Sequence, residues 1–229
     1  MVLDPVYFLF LAPAFALSMF ASWKTKSAFK KYSRVMSATG LTGAQAAQAM
    51  LDRAGIRDVQ VVPTAGYLSD HYNPVNKTLA LSEPVYSQRT VAAIGVACHE
   101  AGHAIQHATR YAPLWLRSAL VPTVGIGSNF GFYGMLIGLM IGSTGLVTIG
   151  AVLFSAVLLF QLVTLPVEFD ASARAKRLSF EQGLIVPQER EGVSKVLNAA
   201  ALTYVAAAVS SLLTLLYFLM RAGLLGGRD

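Results

Sequence analysis

The chain has 229 residues, of which 55% are apolar and only 13% are charged, and its mean hydropathy is +0.54. These proportions exclude an ordinary water-soluble fold and indicate an integral membrane protein. The excess of 18 basic over 12 acidic residues is typical of membrane proteins with basic cytoplasmic loops, so no nucleic-acid partner is expected. The single cysteine, Cys98, excludes an intramolecular disulfide and a cysteine-based metal cluster.

Four apolar stretches are long enough to cross a hydrocarbon layer of about 30 Å. They are residues 6–23, 119–142, 145–167 and 197–220. A basic cluster follows the first stretch instead of preceding it, which predicts an uncleaved anchor with its N-terminus outside. Segments 24–118 and 168–196 then face the cytoplasm, and they hold 16 of the 18 basic residues. The positive-inside rule therefore predicts this orientation, in the plasma membrane if the source is bacterial.

The second stretch carries glycines mostly at four-residue spacing, which places small residues along one helical face and predicts close helix packing. They are Gly127, Gly131, Gly134, Gly138 and Gly142.

Segment 24–118 is predicted to form a small α+β domain. Thr42 and Gln45 form a capping-box pattern for a helix over 43–54, which Gly55 can close in a left-handed conformation. "DVQVV" predicts a strand, "PTAGYLSDHYNP" a turn-rich loop and "KTLALS" a second strand.

Residues 99–103 fit the pattern H-E-x-x-H on a predicted helix. His99 and His103 lie one turn apart on one face, so both imidazoles can converge on one metal ion. Glu100 projects beside that ion, where it can take a proton from an activated water and pass it to a leaving amine.

A catalytic zinc site usually has three protein ligands, so a third is needed. The candidates are His107, His71, Glu168 and Asp170. Three imidazoles spaced four residues apart on a straight helix can hardly reach one ion, which disfavours His107. Glu168 follows the third span as either a ligand or an interfacial charge, and the residues alone leave this choice open.

Four segments, "ACHEAGHAIQHA", "LSDHYNP", "LPVEFDASARA" and "KVLNAAALTYVAAA", resemble the YugP-like family of membrane zinc metallopeptidases over nearly the whole chain. The arrangement is more distantly similar to the HtpX-like and CAAX prenyl proteases. The resemblance implies that Glu168, in an E-x-x-A pattern with Ala171, is the third zinc ligand. Ser172 stands where the HtpX-like pattern has aspartate, and Asp170 either replaces that aspartate or is solvated. "KTLALS" resembles the edge strand on which such peptidases lay an extended substrate.

Two residues that precede the H-E-x-x-H pattern also receive an interpretation. His71 donates to the oxyanion of the tetrahedral intermediate, with or instead of Tyr72, or is an ordinary loop histidine. Cys98 is interpreted as a small buried apolar residue.

The sequence thus predicts a mainly α membrane protein with four transmembrane helices and a small α+β, zincin-like cytoplasmic domain. Its expected function is peptide-bond hydrolysis at the cytoplasmic membrane face, with Zn²⁺ held by His99, His103 and Glu168 and water activated by Glu100. The expected partners are the lipid bilayer and a protein or peptide substrate, including membrane proteins.

The sequence also leaves two alternative functions to consider. A site-two-type intramembrane protease would need an L-D-G stretch, which is absent from the sequence. A metal-binding membrane scaffold or degenerate peptidase without hydrolytic activity stays an alternative, although a transporter would need ionisable residues in its spans, and spans two to four contain none.

Overall fold

The computed structural model describes residues 5–225, and these residues are mainly helical. The helices are α1 (Pro5–Tyr32), α2 (Gly43–Arg53), α3 (Glu83–Tyr86), α4 (Val91–Ala108), α5 (Ala112–Ile126), α6 (Phe132–Met140), α7 (Thr144–Glu181) and α8 (Arg190–Arg221). The strands are β1 (Gln60–Thr64), β2 (His71–Asn73) and β3 (Thr78–Ser82).

Four helical segments are long and apolar enough to cross a membrane: Pro5–Tyr32, Ala112–Met140, Thr144–Glu181 and Pro187–Arg221. The last begins with a short 3-10 turn, Pro187–Glu189, before α8. Each segment includes most or all of one predicted apolar stretch. The described residues divide into two compact units. The first contains residues 5–21, 115–165 and 203–225, and the second contains residues 22–114 and 166–202.

In the first unit, glycines between positions 127 and 138 bring the backbone against α7. A Cβ atom added at Gly127 would lie 2.5 Å from the carbonyl oxygen of Leu153, and one at Gly138 would lie 2.7 Å from the amide nitrogen of Val147. The predicted packing role is therefore confirmed for these glycines. Gly142 differs, because it has a φ of +72° with open space around it and forms the turn before α7.

The second predicted span is not one uninterrupted α-helix. A π-helical turn, Gly127–Gly131, separates α5 from α6. Glycine at both ends of this turn removes the side chains that would hold the backbone away from α7, and such turns are local distortions that periodicity in the sequence does not reveal.

The second unit contains a three-stranded sheet in the order β1-β3-β2, with β1 parallel and β2 antiparallel to β3. The prediction that "KTLALS" forms an edge strand is wrong, since β3 lies in the centre. The predicted loop over "PTAGYLSDHYNP" is also wrong in part, because it contains β2. Strand β2 has only three residues and no apolar alternation, so local propensity contributes little to its formation. Pairing with β3 is the main interaction that stabilises it.

The helix before the sheet forms as predicted. Thr42 accepts from the Gln45 amide, and the Gln45 side chain accepts from the Thr42 amide. Helix α2 ends at Arg53, and Gly55 has a φ of +74°. The capping box and the glycine that ends the helix are both confirmed.

Helix α4 lies at the centre of the second unit and is buried along most of its length. Its N-terminus is capped by Thr90, whose hydroxyl accepts from the Ala93 amide at 3.3 Å. A Cβ atom added at Gly102 would lie 2.8 Å from the carbonyl oxygen of Ala171, so α4 meets the backbone of α7 at this glycine. Any side chain at position 102 would force the two helices apart.

We predict that Gly102→Ala lowers the free energy of unfolding by about 1–3 kcal/mol, because the added methyl group clashes with backbone and not with a movable side chain. Thermal unfolding in detergent measures this change. Gly145→Ala is the matched control, since a Cβ atom at this α7 glycine meets nothing within 4 Å. Equal stability of the two variants would contradict the close approach at Gly102.

Candidate metal centre

Two helices of the second unit bring three ligand-type side chains together. His99 and His103 come from α4 and Glu168 comes from α7. The Glu168 Oε2 atom lies 3.3 Å from His99 Nε2 and 3.5 Å from His103 Nε2. Donor atoms around a tetrahedral zinc ion with bonds of 2.0–2.2 Å are roughly 3.4 Å apart. The three residues that the sequence singled out therefore stand at a spacing that one metal ion can bridge.

The second nitrogen of each imidazole has a polar partner. His99 Nδ1 lies 3.2 Å from the hydroxyl of Ser172, and His103 Nδ1 lies 3.0 Å from Gln106 Oε1. Both Nδ1 atoms are thus engaged while both Nε2 atoms face Glu168. This is the usual arrangement of histidine ligands, whose other nitrogen is held by a hydrogen bond.

Ser172 and Asp170 on α7 make different contacts around the candidate site. Ser172, which replaces the aspartate of the HtpX-like pattern, itself contacts His99. Asp170 accepts from Gln106 Nε2 at 2.8 Å and forms an ion pair with Arg174. Asp170 is therefore linked to His103, and not to His99, through the side chain of Gln106.

Sequence reasoning missed Gln106. It is fully buried, and its side chain connects His103 to the carbonyl oxygen of Val167 on α7. Its position three residues after His103, on the same helical face, was the available signal.

Glu100 is buried beside the three donors on α4, with 8% of its surface exposed. Burial raises the pKa of the Glu100 carboxyl, and the charges of His99 and His103 partly oppose this rise. Within residues 5–225 the carboxyl forms no side-chain hydrogen bond or ion pair, so both oxygens are available for proton transfer.

For His103, burial alone would lower the pKa of the imidazole, but the hydrogen bond and charge of Glu168 raise it.

His107 stands apart from the three donors. Its Nδ1 lies 2.8 Å from the hydroxyl of Tyr72, at the strand β2. The group of residues able to hold a metal contains Glu168 and not His107.

His71 is exposed on β2, and its Nδ1 lies 2.9 Å from the Ser69 carbonyl oxygen. Because successive strand residues point to opposite faces, His71 faces away from the side on which Tyr72 meets α4. The contact with the helix that carries the histidine pair is thus made by Tyr72, and the oxyanion role of His71 stays a prediction.

Cys98 is fully buried, as predicted for a small apolar residue. Burial raises the pKa of its thiol to about 12. The side chain therefore stays a neutral thiol and contributes to packing.

Comparison with known proteins agrees with this site. Residues 7–223 match the family model described as "Putative neutral zinc metallopeptidase". The chain is 49% identical to "Putative membrane protease YugP" of Bacillus subtilis (strain 168) over 223 aligned residues. The aligned region covers 97% of this chain and 98% of that relative. No solved structure matches the chain. The protein therefore belongs to the YugP-like family of membrane zinc metallopeptidases.

Proposed function

We propose that this protein hydrolyses peptide bonds at the cytoplasmic face of the membrane, with zinc held by His99, His103 and Glu168. The observation that carries the proposal is the spacing of 3.3 and 3.5 Å between Glu168 Oε2 and the two imidazole Nε2 atoms, beside the carboxyl of Glu100. That carboxyl is nearly buried and forms no hydrogen bond within residues 5–225.

The donor set suits zinc. Two neutral imidazoles and one carboxylate are ligands that zinc accepts readily, and three protein ligands leave a position open, as catalytic and not structural sites do. A bound zinc ion would supply a Lewis acid that activates water and polarises a peptide carbonyl.

Glu100 is the proposed general base and acid. It lies next to His99 in the sequence and is buried, and burial disfavours its charged form. A carboxylate in such a setting is a stronger base than one in water, so it can accept a proton from the attacking water and deliver it to the leaving amine.

Tyr72 and His71 are the proposed donors to the oxyanion. Burial raises the pKa of Tyr72, which keeps its hydroxyl protonated. Its contact with His107 on α4 favours Tyr72 over His71 for this role.

The proposed orientation follows from charge. Segments 24–118 and 168–196, which contain every residue of the site, hold 16 of the 18 basic residues. The substrates that we propose are proteins or peptides that reach this face, including membrane proteins.

The first prediction for this site concerns the base. Glu100→Gln keeps the side-chain volume but removes the proton acceptor, so hydrolysis should fall by about 10²–10⁴-fold while zinc stays bound. Peptide turnover and zinc content of the purified variant measure the two effects. The matched control is Glu181→Gln, which changes an exposed carboxyl at the end of α7. Undiminished turnover in Glu100→Gln would reject the peptidase mechanism.

The second prediction separates the two candidates for the third ligand. Glu168→Ala should weaken zinc binding by at least one to two orders of magnitude and abolish activity, because it removes the carboxylate between the imidazoles. His107→Ala should retain most of the metal and cost at most about 10- to 100-fold. Competition titration with a chromophoric chelator measures both affinities. The assignment fails if His107→Ala loses the metal and Glu168→Ala keeps it.

The third prediction concerns orientation. In a Cys98→Ser background, Val75→Cys lies on a turn where the residue is 93% exposed, and it should react with an impermeant thiol reagent only after the membrane is opened. Thr144→Cys, between the second and third spans, should react without opening. The opposite labelling pattern would place the site on the outer face.

A further inference from the structure

We propose that Gln106 and Asp170 form a positioning pair that fixes His103 in the tautomer whose Nε2 is free to bind a metal ion. The inference rests on the metal site proposed above and extends it to two residues that do not touch the ion.

The contacts of Gln106 define the pair. The side chain is fully buried, and its Nε2 atom donates to Val167 O and to Asp170 Oδ2, both at 2.8 Å. On its other side, Oε1 lies 3.0 Å from His103 Nδ1. All three contacts are made by one fully buried amide group.

These partners allow only one orientation of the amide. A backbone carbonyl oxygen and a carboxylate oxygen both accept hydrogen bonds, so the NH₂ group of Gln106 must face Val167 and Asp170. The amide oxygen must then face His103. Since an amide oxygen only accepts, the hydrogen of the neutral imidazole must be on Nδ1. In the neutral imidazole, His103 Nε2 therefore carries the lone pair that a metal ion needs, whereas in the imidazolium its hydrogen faces Glu168.

Asp170 is itself held in place. Arg174 Nε donates to the same Oδ2 atom at 2.6 Å, one turn along α7. The Arg174 guanidinium also lies over the ring of Tyr111, 5.8 Å from its centroid. The accepting oxygen that orients Gln106 is therefore held in place by an ion pair.

The two histidines differ in this respect. His99 Nδ1 meets the hydroxyl of Ser172, which can either donate or accept. Ser172 therefore leaves the tautomer of His99 open, whereas Gln106 determines that of His103. Loss of the Gln106 amide should thus affect metal binding more than loss of the Ser172 hydroxyl.

The test uses Gln106→Met, which keeps the length of the buried side chain but removes its polar atoms, and Asp170→Asn, which removes the charge. Asp58→Asn is the matched control, because Asp58 also forms an ion pair, with Lys77, but on the surface. Two quantities are measured in the full-length protein. One is zinc affinity by chelator competition, and the other is the His103 tautomer in the zinc-free protein, from ¹⁵N chemical shifts of labelled histidine.

We expect Gln106→Met to weaken zinc binding by about 10- to 100-fold, with a smaller loss for Asp170→Asn and none for Asp58→Asn. In the zinc-free wild type, at a pH where the His103 imidazole is neutral, its hydrogen should be on Nδ1, and Gln106→Met should populate the Nε2-H form. A role in packing alone would change thermal unfolding but not the tautomer.

The positioning role is overturned if both variants bind zinc within about twofold of wild type, or if the wild-type tautomer is Nε2-H. If Gln106→Met does not fold, the partly exposed Asp170→Asn decides by the same two measurements. A wild type that binds no zinc would refute the proposed metal site, while the tautomer would still report on Gln106. A wild type that binds zinc but cleaves no peptide would refute only the proposed hydrolysis.

Discussion

The site depends on the close approach of α4 and α7 at Gly102. With no side chain at this position, the helix that carries both histidines lies against the backbone of Ala171. Glu168 stands one turn before Ala171, which brings its carboxylate between the two imidazoles. A β-carbon at position 102 would force a shift between the two helices that carry the donors, and metal–ligand distances tolerate only about 0.2 Å. The glycine in H-E-A-G-H is thus a requirement of the packing.

The same approach also creates the hydrogen bonds around the donors. Ser172 reaches His99, and Gln106 reaches Val167 and Asp170, because the two helices are close enough for short side chains to span the gap. Buried polar groups are costly unless they are paired, and here each pairing also orients an imidazole. Glu100 is the exception, because its buried carboxyl has no hydrogen bond within residues 5–225. Because 8% of its surface stays exposed, Glu100 is not a fully buried unpaired group, and its place beside three ligand-type groups suits a carboxyl that transfers protons.

Local sequence signals predicted much of this structure. The capping box at Thr42, the glycine after α2 and the apolar stretches all depend on neighbours a few residues apart, and each appears as predicted. The H-E-x-x-H spacing likewise placed two imidazoles on one helical face. Helix geometry already disfavoured His107, but only the family resemblance indicated Glu168 as the ligand, because its nearness to His99 depends on tertiary packing.

The features that sequence reasoning missed are non-local. Strand β2 exists because β3 pairs with it, and the central place of β3 follows from the parallel pairing with β1. Neither fact is encoded in the alternation of "KTLALS". The π-helical turn at Gly127–Gly131 reflects contact with α7, and the role of Gln106 reflects contacts with residues more than sixty positions away.

X-ray absorption spectroscopy of the purified protein at the zinc edge tests the central claim most directly. The account predicts about one zinc ion per chain, with only nitrogen and oxygen ligands at about 2.0–2.2 Å and the outer-shell scattering of two imidazoles. Sulfur is excluded as a ligand, because the single cysteine is buried as a neutral thiol. A sulfur shell near 2.3 Å, scattering from three imidazoles, or a protein that takes up no zinc would contradict the account.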